Sequence, residues 1–190
     1  MTGTPFPIVD VSAEEKYAGN QLAVFRETFD PREITPLLTV DNDDIDRDFP
    51  IQSVSGGLLF VLLPLRSLEA VQRAGVLKDQ WLDWVKSRPA KMVFVFCPEA
   101  VHPGNHIHAR AFVDYYGIPE DPATGSANSC FAAYLVKHRY FGADRIDVRV
   151  EQGDEIGQPS LLYLKAQDRG GRIHVEVGGK VVLIAQGRLL

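Results

Sequence analysis

The chain has 190 residues, 45% of them hydrophobic and 24% charged, with a formal net charge of −5, the composition of a globular protein of one large or two small domains. The negative charge argues against a general nucleic-acid footprint, and no run approaches the ~20 apolar residues that a membrane-spanning helix needs. The opening MTGTPFPIVDV lacks the basic lead and long apolar core of a signal peptide, and Cys97 and Cys130 lie in apolar runs, so the expectation is a cytoplasmic protein in a reducing compartment.

Pro7 to Val11 and Gln21 to Phe25 are short apolar runs with β-branched residues, joined through a Gly19-Asn20 turn signal. They predict an opening hairpin or pair of strands. Phe29 to Leu38 predicts a short helix, with Asp30 as cap and Pro31 at the first helical position. The acidic run from Asp41 to Asp48 fails the calcium-loop pattern: counted from Asp44, the sixth position is Phe49 and the twelfth is Ser55, where glycine and glutamate are needed. It reads as a solvated loop.

Gln52 to Leu65 is a strand-like apolar run in which Gly56 and Gly57 mark a bulge or a close backbone approach. Ser67 caps a helix carrying Leu68, Val71 and Ala74 along one side. After Gly75 a second helix carries Leu77, Trp81, Trp84 and Val85 at helical spacing, and this stripe assigns both tryptophans to the core. Lys91 to Cys97 reads as a buried strand. His106 to Val113 alternates, so that His106, His108, Arg110 and Phe112 share one strand face and Ile107, Ala109, Ala111 and Val113 the other. The His-x-His spacing suits a metal, but no third ligand with convincing spacing accompanies it. The metal expectation is therefore none, and a metal-dependent hydrolase is the weakest functional reading. Arg110 is a candidate clamp for a carboxylate.

From Glu120 to Tyr140 the sequence is EDPATGSANSCFAAYLVKHRY. Between Ala127 and Val136 the only polar side chains are Asn128, Ser129 and the Tyr134 hydroxyl, and a helix apolar all round belongs inside a fold. Lys137, His138 and Arg139 close it where positive charge suits the helix dipole. Asp121 or Thr124 can cap its start, and Pro122 suits a first helical position if Asp121 is the cap. The small residues Gly125, Ser126 and Ala127 leave the first-turn amides open to an anion. Strands follow at Ile146 to Glu151, Leu161 to Ala166, Arg172 to Val177 and Val181 to Ala185, separated by turn-rich linkers. The whole is an α+β pattern, a β-meander built around a helix. There is no GxGxxG or Walker loop, so nucleotide binding of those kinds is unsupported.

EDPATGSA at Glu120 resembles the signature of the PhzF-like family of phenazine-biosynthesis isomerases. VDVSAEEKYAGNQLAVF at Val9, VSGG at Val54, HARAF at His108 and EQGDEIGQPSLLYL at Glu151 are similar to further landmarks of that family, in the same order. The resemblance implies a diaminopimelate epimerase-like fold: two domains, each a β-sheet wrapped around a central helix (here about Gly125 to Tyr140), with the active site between them. It implies proton transfer within a small carboxylic acid, with no metal or organic cofactor. Asp121 and Ser126 are then the catalytic candidates. Thr124, Gly125 and Ala127, together with Arg110 and Asn20, are the substrate-binding candidates. Cys130, one turn after Ser126, is assigned to the core.

The chain departs from the family between Phe25 and Phe29. A member of normal length carries most of its first domain there, including a SETTF-like segment with the acid/base glutamate and a GHPT-like motif. Here Arg26-Glu27-Thr28 joins the two flanks directly. The expected division is a strand-pair remnant of the first domain over residues 1–28 and an essentially complete second domain over 29–190. Two functional readings follow. One is a PhzF-like isomerase, impaired unless a base comes from elsewhere, such as a partner chain in a homodimer. The other is a non-catalytic module that binds a small anion or associates with itself.

Overall fold

The long central helix is enclosed by a single curled sheet. The structure is a computed structural model that describes residues 8–11, 20–23 and 27–184. Strands β1 (Ile8–Val11) and β2 (Asn20–Ala23) pair antiparallel as a separate two-stranded sheet, which is the strand pair expected from the opening sequence. Strand β3 (Thr28–Phe29) leads into helix α1 (Pro31–Ile34), where the Asp30 side chain accepts from the Arg32 amide and Pro31 opens the first turn. A 3-10 turn over Asn42–Asp44 occupies the acidic run; Asp41 and Asp44 cap each other across it, and Asp44 pairs with Arg73.

Strands β4 (Ile51–Ser55) and β5 (Leu59–Pro64) form an antiparallel hairpin. Gly56 and Gly57 are thus its turn, not a bulge within one strand; Gly57 takes φ of +102°, a conformation open to glycine. Helix α2 (Leu68–Arg73) is capped by Ser67, whose hydroxyl accepts from the Ala70 amide. Helix α3 (Lys78–Val85) buries Trp81 and Val85, while Trp84 is partly buried and stacks on Trp81. Strands β6 (Met92–Cys97), β7 (Ile107–Val113) and β8 (Ile118–Asp121) precede helix α4 (Gly125–Lys137), and β9 (Arg145–Gln152), β10 (Ser160–Asp168) and β11 (Ile173–Gly179) follow it. The large sheet has the order β11-β10-β9-β7-β6-β5-β4-β3, with β8 paired to β7.

Both ends of that sheet touch α4: β10 and β11 from one side, β4 and β5 from the other. The sheet must therefore curl around the helix, and β1 lies beside β11 while β2 lies near β4. Why the curl is forced follows from α4 itself. Ala127, Asn128, Cys130 and every residue from Phe131 to Val136 are buried, so no flank is left to face water. Phe131 lies 4.4 Å from Phe96 and 5.2 Å from Phe94 between ring centroids. Strands β5 and β6 are buried on both faces because two layers cover them. Phe60, Leu62, Phe94 and Phe96 pack toward α4, whereas Val61, Leu63, Val93 and Val95 pack toward α1, α2 and α3.

Three boundaries differ from the sequence reading. Helix α4 starts at Gly125, with Thr124 in the cap position, so Pro122 precedes the helix instead of opening it. It ends at Lys137 rather than near Tyr140. Arg139 turns left-handed at φ +50°, and the Arg139 and Tyr140 amides donate back to the carbonyls of Val136 and Leu135, a closing motif that usually uses glycine. Finally, Val181 to Ile184 form no strand and are 79–95% exposed, because the β10–β11 pairing stops at Leu162 and Gly179; Ala185 lies outside the described residues.

If α4 is the packing centre, truncating Phe131 to Ala costs about 3–5 kcal/mol. Urea unfolding of the variant and the parent chain measures this directly.

Candidate functional site

The first turn of α4 opens at the surface while the rest of the helix is buried. Gly125 is exposed, the only residue of this helix that is, and Ser126 is half-buried, so the helix is most open to solvent at its first turn. Amides at the start of a helix have no partner within it and carry the positive end of its dipole. Ala123 and Gly125 line a recess of about 470 Å³ whose other walls are Pro159 to Leu162 and Val177 to Lys180, at the mouth of the β10–β11 pair. An added Cβ at Gly125 would meet nothing within 4 Å.

What holds this turn is set by the order of strands around β7. Strand β9 runs parallel to β7 along Ile107 to Ala109, and β8 pairs antiparallel further along the same strand, at Ala111 to Val113. Gln152 therefore comes opposite Ala109 and Asp121 opposite Ala111, which brings the end of β9 against the loop that starts α4. The Gln152 side chain is fully buried. Its Nε2 donates to the Asp121 carbonyl at 2.5 Å and to Thr124 Oγ1 at 2.9 Å, and its Oε1 accepts from Asn128 Nδ2 at 3.0 Å. Asn128 Nδ2 also donates to the Thr124 carbonyl. Gly153 follows at φ +87°, where a Cβ would press on the carbonyls of Gln158 and Pro122. The sequence reading missed Gln152, Gly153 and Asn128; the only signal was EQG within a motif taken as a landmark.

The predicted residues are distributed unevenly. Asp121, Thr124, Gly125, Ser126 and Ala127 are brought together by one loop and one helical turn. Asp121 is half-buried, with Oδ1 near the Ala123 amide at 3.4 Å. Thr124 and Ala127 are buried, so Thr124 turns its hydroxyl inward to Gln152 and Ala127 can offer only its amide. Arg110 is a correction. It lies on the opposite face of β7 from α4, where its Nε and Nη2 grip both oxygens of Glu120 at 3.0 and 2.7 Å and its Nη1 donates to carbonyls of Val71, Gln72 and Ala74. A guanidinium so occupied ties α2 to the sheet and is not a substrate clamp. Asn20 falls in β2, and its side chain lies outside what the structure describes. Cys130 is buried in the core, its thiol pushed up to about 12 by burial.

The histidines also separate. His106 is exposed and accepts the Arg149 amide at 3.1 Å. His108 is fully buried, with Nδ1 3.3 Å from Glu151 and Nε2 2.8 Å from Glu155. Burial alone would disfavour its imidazolium, but these two carboxylates more than offset that and hold its pKa above the ordinary value. Glu151 is the hub. Burial opposes its charge, yet Asn105, the Val101 and His102 amides and His108 hold its pKa down to about 2. Among the described residues His108, Glu151 and Asp154 form a donor set within 4.8 Å of one another that a cation could use; Glu151 already accepts from Val101, His102 and Asn105, so it anchors the loop between β6 and β7 to β9, while His108 holds Glu155 in the loop after β9. A larger recess of about 520 Å³ lies on the outer face of β9 to β11, and it is lined by charges of both signs, Arg145, Asp147, Lys165, Arg169 and Glu176.

A mixed sheet curled around one apolar helix, with the helix start opening into a recess, is the diaminopimelate epimerase-like fold. Over residues 24–187 the sequence matches the PhzC-PhzF family, described as phenazine biosynthesis-like protein. The chain belongs to that family. It is 33% identical over 156 residues to an uncharacterized isomerase, YfhB, of Bacillus subtilis, covering 82% of this chain and 53% of that one. It is 41% identical over 86 residues to the trans-2,3-dihydro-3-hydroxyanthranilate isomerase of Pseudomonas aeruginosa, covering 45% and 31%. Among solved structures it resembles the PhzF-family phenazine biosynthesis protein of Bacillus anthracis (TM-score 0.72, 23% identity, 92% of this chain and 61% of that one). It also resembles a predicted epimerase of Pseudomonas aeruginosa (TM-score 0.65, 28% identity, 92% and 64%). The chain spans about half the length of the curated relatives it matches.

The Glu151 hub gives a signed pH dependence. Its carboxylate is held at about 2 against an ordinary 4.5, so the stability it contributes is present above pH 4.5 and is lost as pH falls toward 2. Glu151→Gln removes that part of the acid limb and costs on the order of 3 kcal/mol near neutral pH. Denaturation midpoints recorded from pH 7 down to 2 compare the two proteins.

Proposed function

We propose that this chain carries the carboxylate-binding half of a PhzF-type isomerase site, with the amides of Gly125, Ser126 and Ala127 receiving the carboxylate of a small organic acid. Asp121 and Ser126, at either end of the same loop, orient the substrate for proton transfer that needs no metal or organic cofactor. The observation that carries this reading is the first turn of α4, uncapped by its own Thr124 side chain and open to the recess at Gly125. The named activity of the Pseudomonas relative makes a hydroxylated aromatic or dihydroaromatic carboxylate the natural probe class. A homodimer, whose second copy faces the recess, is the arrangement in which an acid/base group can reach the substrate.

A second reading has an observation in its favour. Glu27, the acid at the junction between Phe25 and Phe29 that the resemblance singles out, lies 3.6 Å from Arg88 on the α3 side of the sheet, away from α4. Without a base across the recess the chain binds a small anion and turns it over poorly or not at all.

Titration with 3-hydroxyanthranilate, followed by amide NMR, tests the binding site. Shifts are expected to concentrate at Gly125, Ser126 and Ala127. Gly125→Asp places a competing carboxylate at the same amides; it is expected to weaken binding at least tenfold while leaving thermal stability equal or higher, since an acid in the first turn suits the dipole. Unchanged affinity in that variant would remove the proposal.

A further inference from the structure

Thr124 stands in the cap position of α4, where a threonine hydroxyl ordinarily accepts from an amide of the first turn. Here it makes no such bond. Its Oγ1 is 2.9 Å from Gln152 Nε2, and the same amide group reaches the Asp121 carbonyl, Asn128 Nδ2 and, at 3.5 Å, the Thr124 amide. Every hydrogen bond given for this fully buried side chain falls within residues 121–128. A side chain from the neighbouring strand thus holds the cap residue away from the helix that it would otherwise close.

We propose that Gln152 is the positioning residue of the α4 site: by holding the Thr124 hydroxyl it prevents self-capping and keeps the first-turn amides free for an anion. The proposal rests on the carboxylate reading above, and Gln152 touches no substrate in it. Gly153 supports the same contact, since only a residue without Cβ lets the chain after Gln152 lie against Pro122. The register explains why the task falls to Gln152, because β9 and β8 share the β7 strand and set residues 152 and 121 two positions apart along it.

The mechanism makes a prediction that a purely structural role does not. Gln152→Leu frees the Thr124 hydroxyl to cap the helix, so binding of 3-hydroxyanthranilate weakens by about tenfold, the scale of one capping bond that the ligand must now break. Thr124→Val alone binds within about threefold of the parent, as the hydroxyl neither caps nor binds. The double variant has no hydroxyl to cap with and recovers most of the lost affinity. Hydrogen exchange gives a reading without ligand: the Ser126 and Ala127 amides exchange more slowly in Gln152→Leu than in the parent, and the double variant reverses this. If Gln152→Leu does not fold, Thr124→Val decides, and a loss of tenfold or more there overturns the proposal. A double variant as weak as Gln152→Leu, with exchange at Ser126 and Ala127 unaltered in both, also overturns it. If the parent binds no carboxylate, the carboxylate reading fails on its own, and the exchange rates still judge the clamp.

Discussion

The need to bury α4 on every side governs this structure. One sheet therefore has to approach the helix from both flanks, and β4–β5 and β10–β11 do so from opposite ends of the strand order. The helix is most open at its start, where Gly125 is exposed, because the loop from Asp121 to Thr124 must enter somewhere. The same constraint that builds the core therefore leaves one polar opening, with a dipole end pointed into it.

A second consequence concerns the two faces of the central strands. β5, β6 and β7 are covered by α4 on one side and by α1 to α3 on the other, so residue parity decides which layer a side chain joins. Parity was legible: Ile107, Ala109, Ala111 and Val113 do share a face. Which face met the helix was not, since both alternating sets are buried. Arg110 and His108 consequently fall on the far side, where Glu120, Glu151 and Glu155 neutralise them. Their contacts tie loops and the α2 end to the sheet.

Most elements were readable because their signals are local: the Asp30 and Ser67 caps, the tryptophan stripe of α3, the all-apolar run of α4, the alternation in β9 to β11. The failures are those that depend on distant partners. Strand β8 contains Pro119 and two acids and is a strand only because β7 has an edge free beside it. The end of α4 is closed by Arg139 in a left-handed conformation, with no glycine to announce it. Val181 to Ile184 have strand-forming side chains, but β10 runs out before them. At the site, the small residues after Thr124 could be seen in the sequence, whereas the glutamine that holds them, 28 residues on from Thr124, could not.

The opening of α4 is the place proposed for an anion to bind. A crystal structure of the protein soaked with 3-hydroxyanthranilate tests it most directly. The expected result is the carboxylate within hydrogen-bond distance, about 3 Å, of the Gly125, Ser126 and Ala127 amides, in the recess beside Pro159 and Gly179. A carboxylate bound instead among Arg145, Lys165 and Arg169 on the outer face of the sheet, with the α4 recess filled only by water, would contradict it.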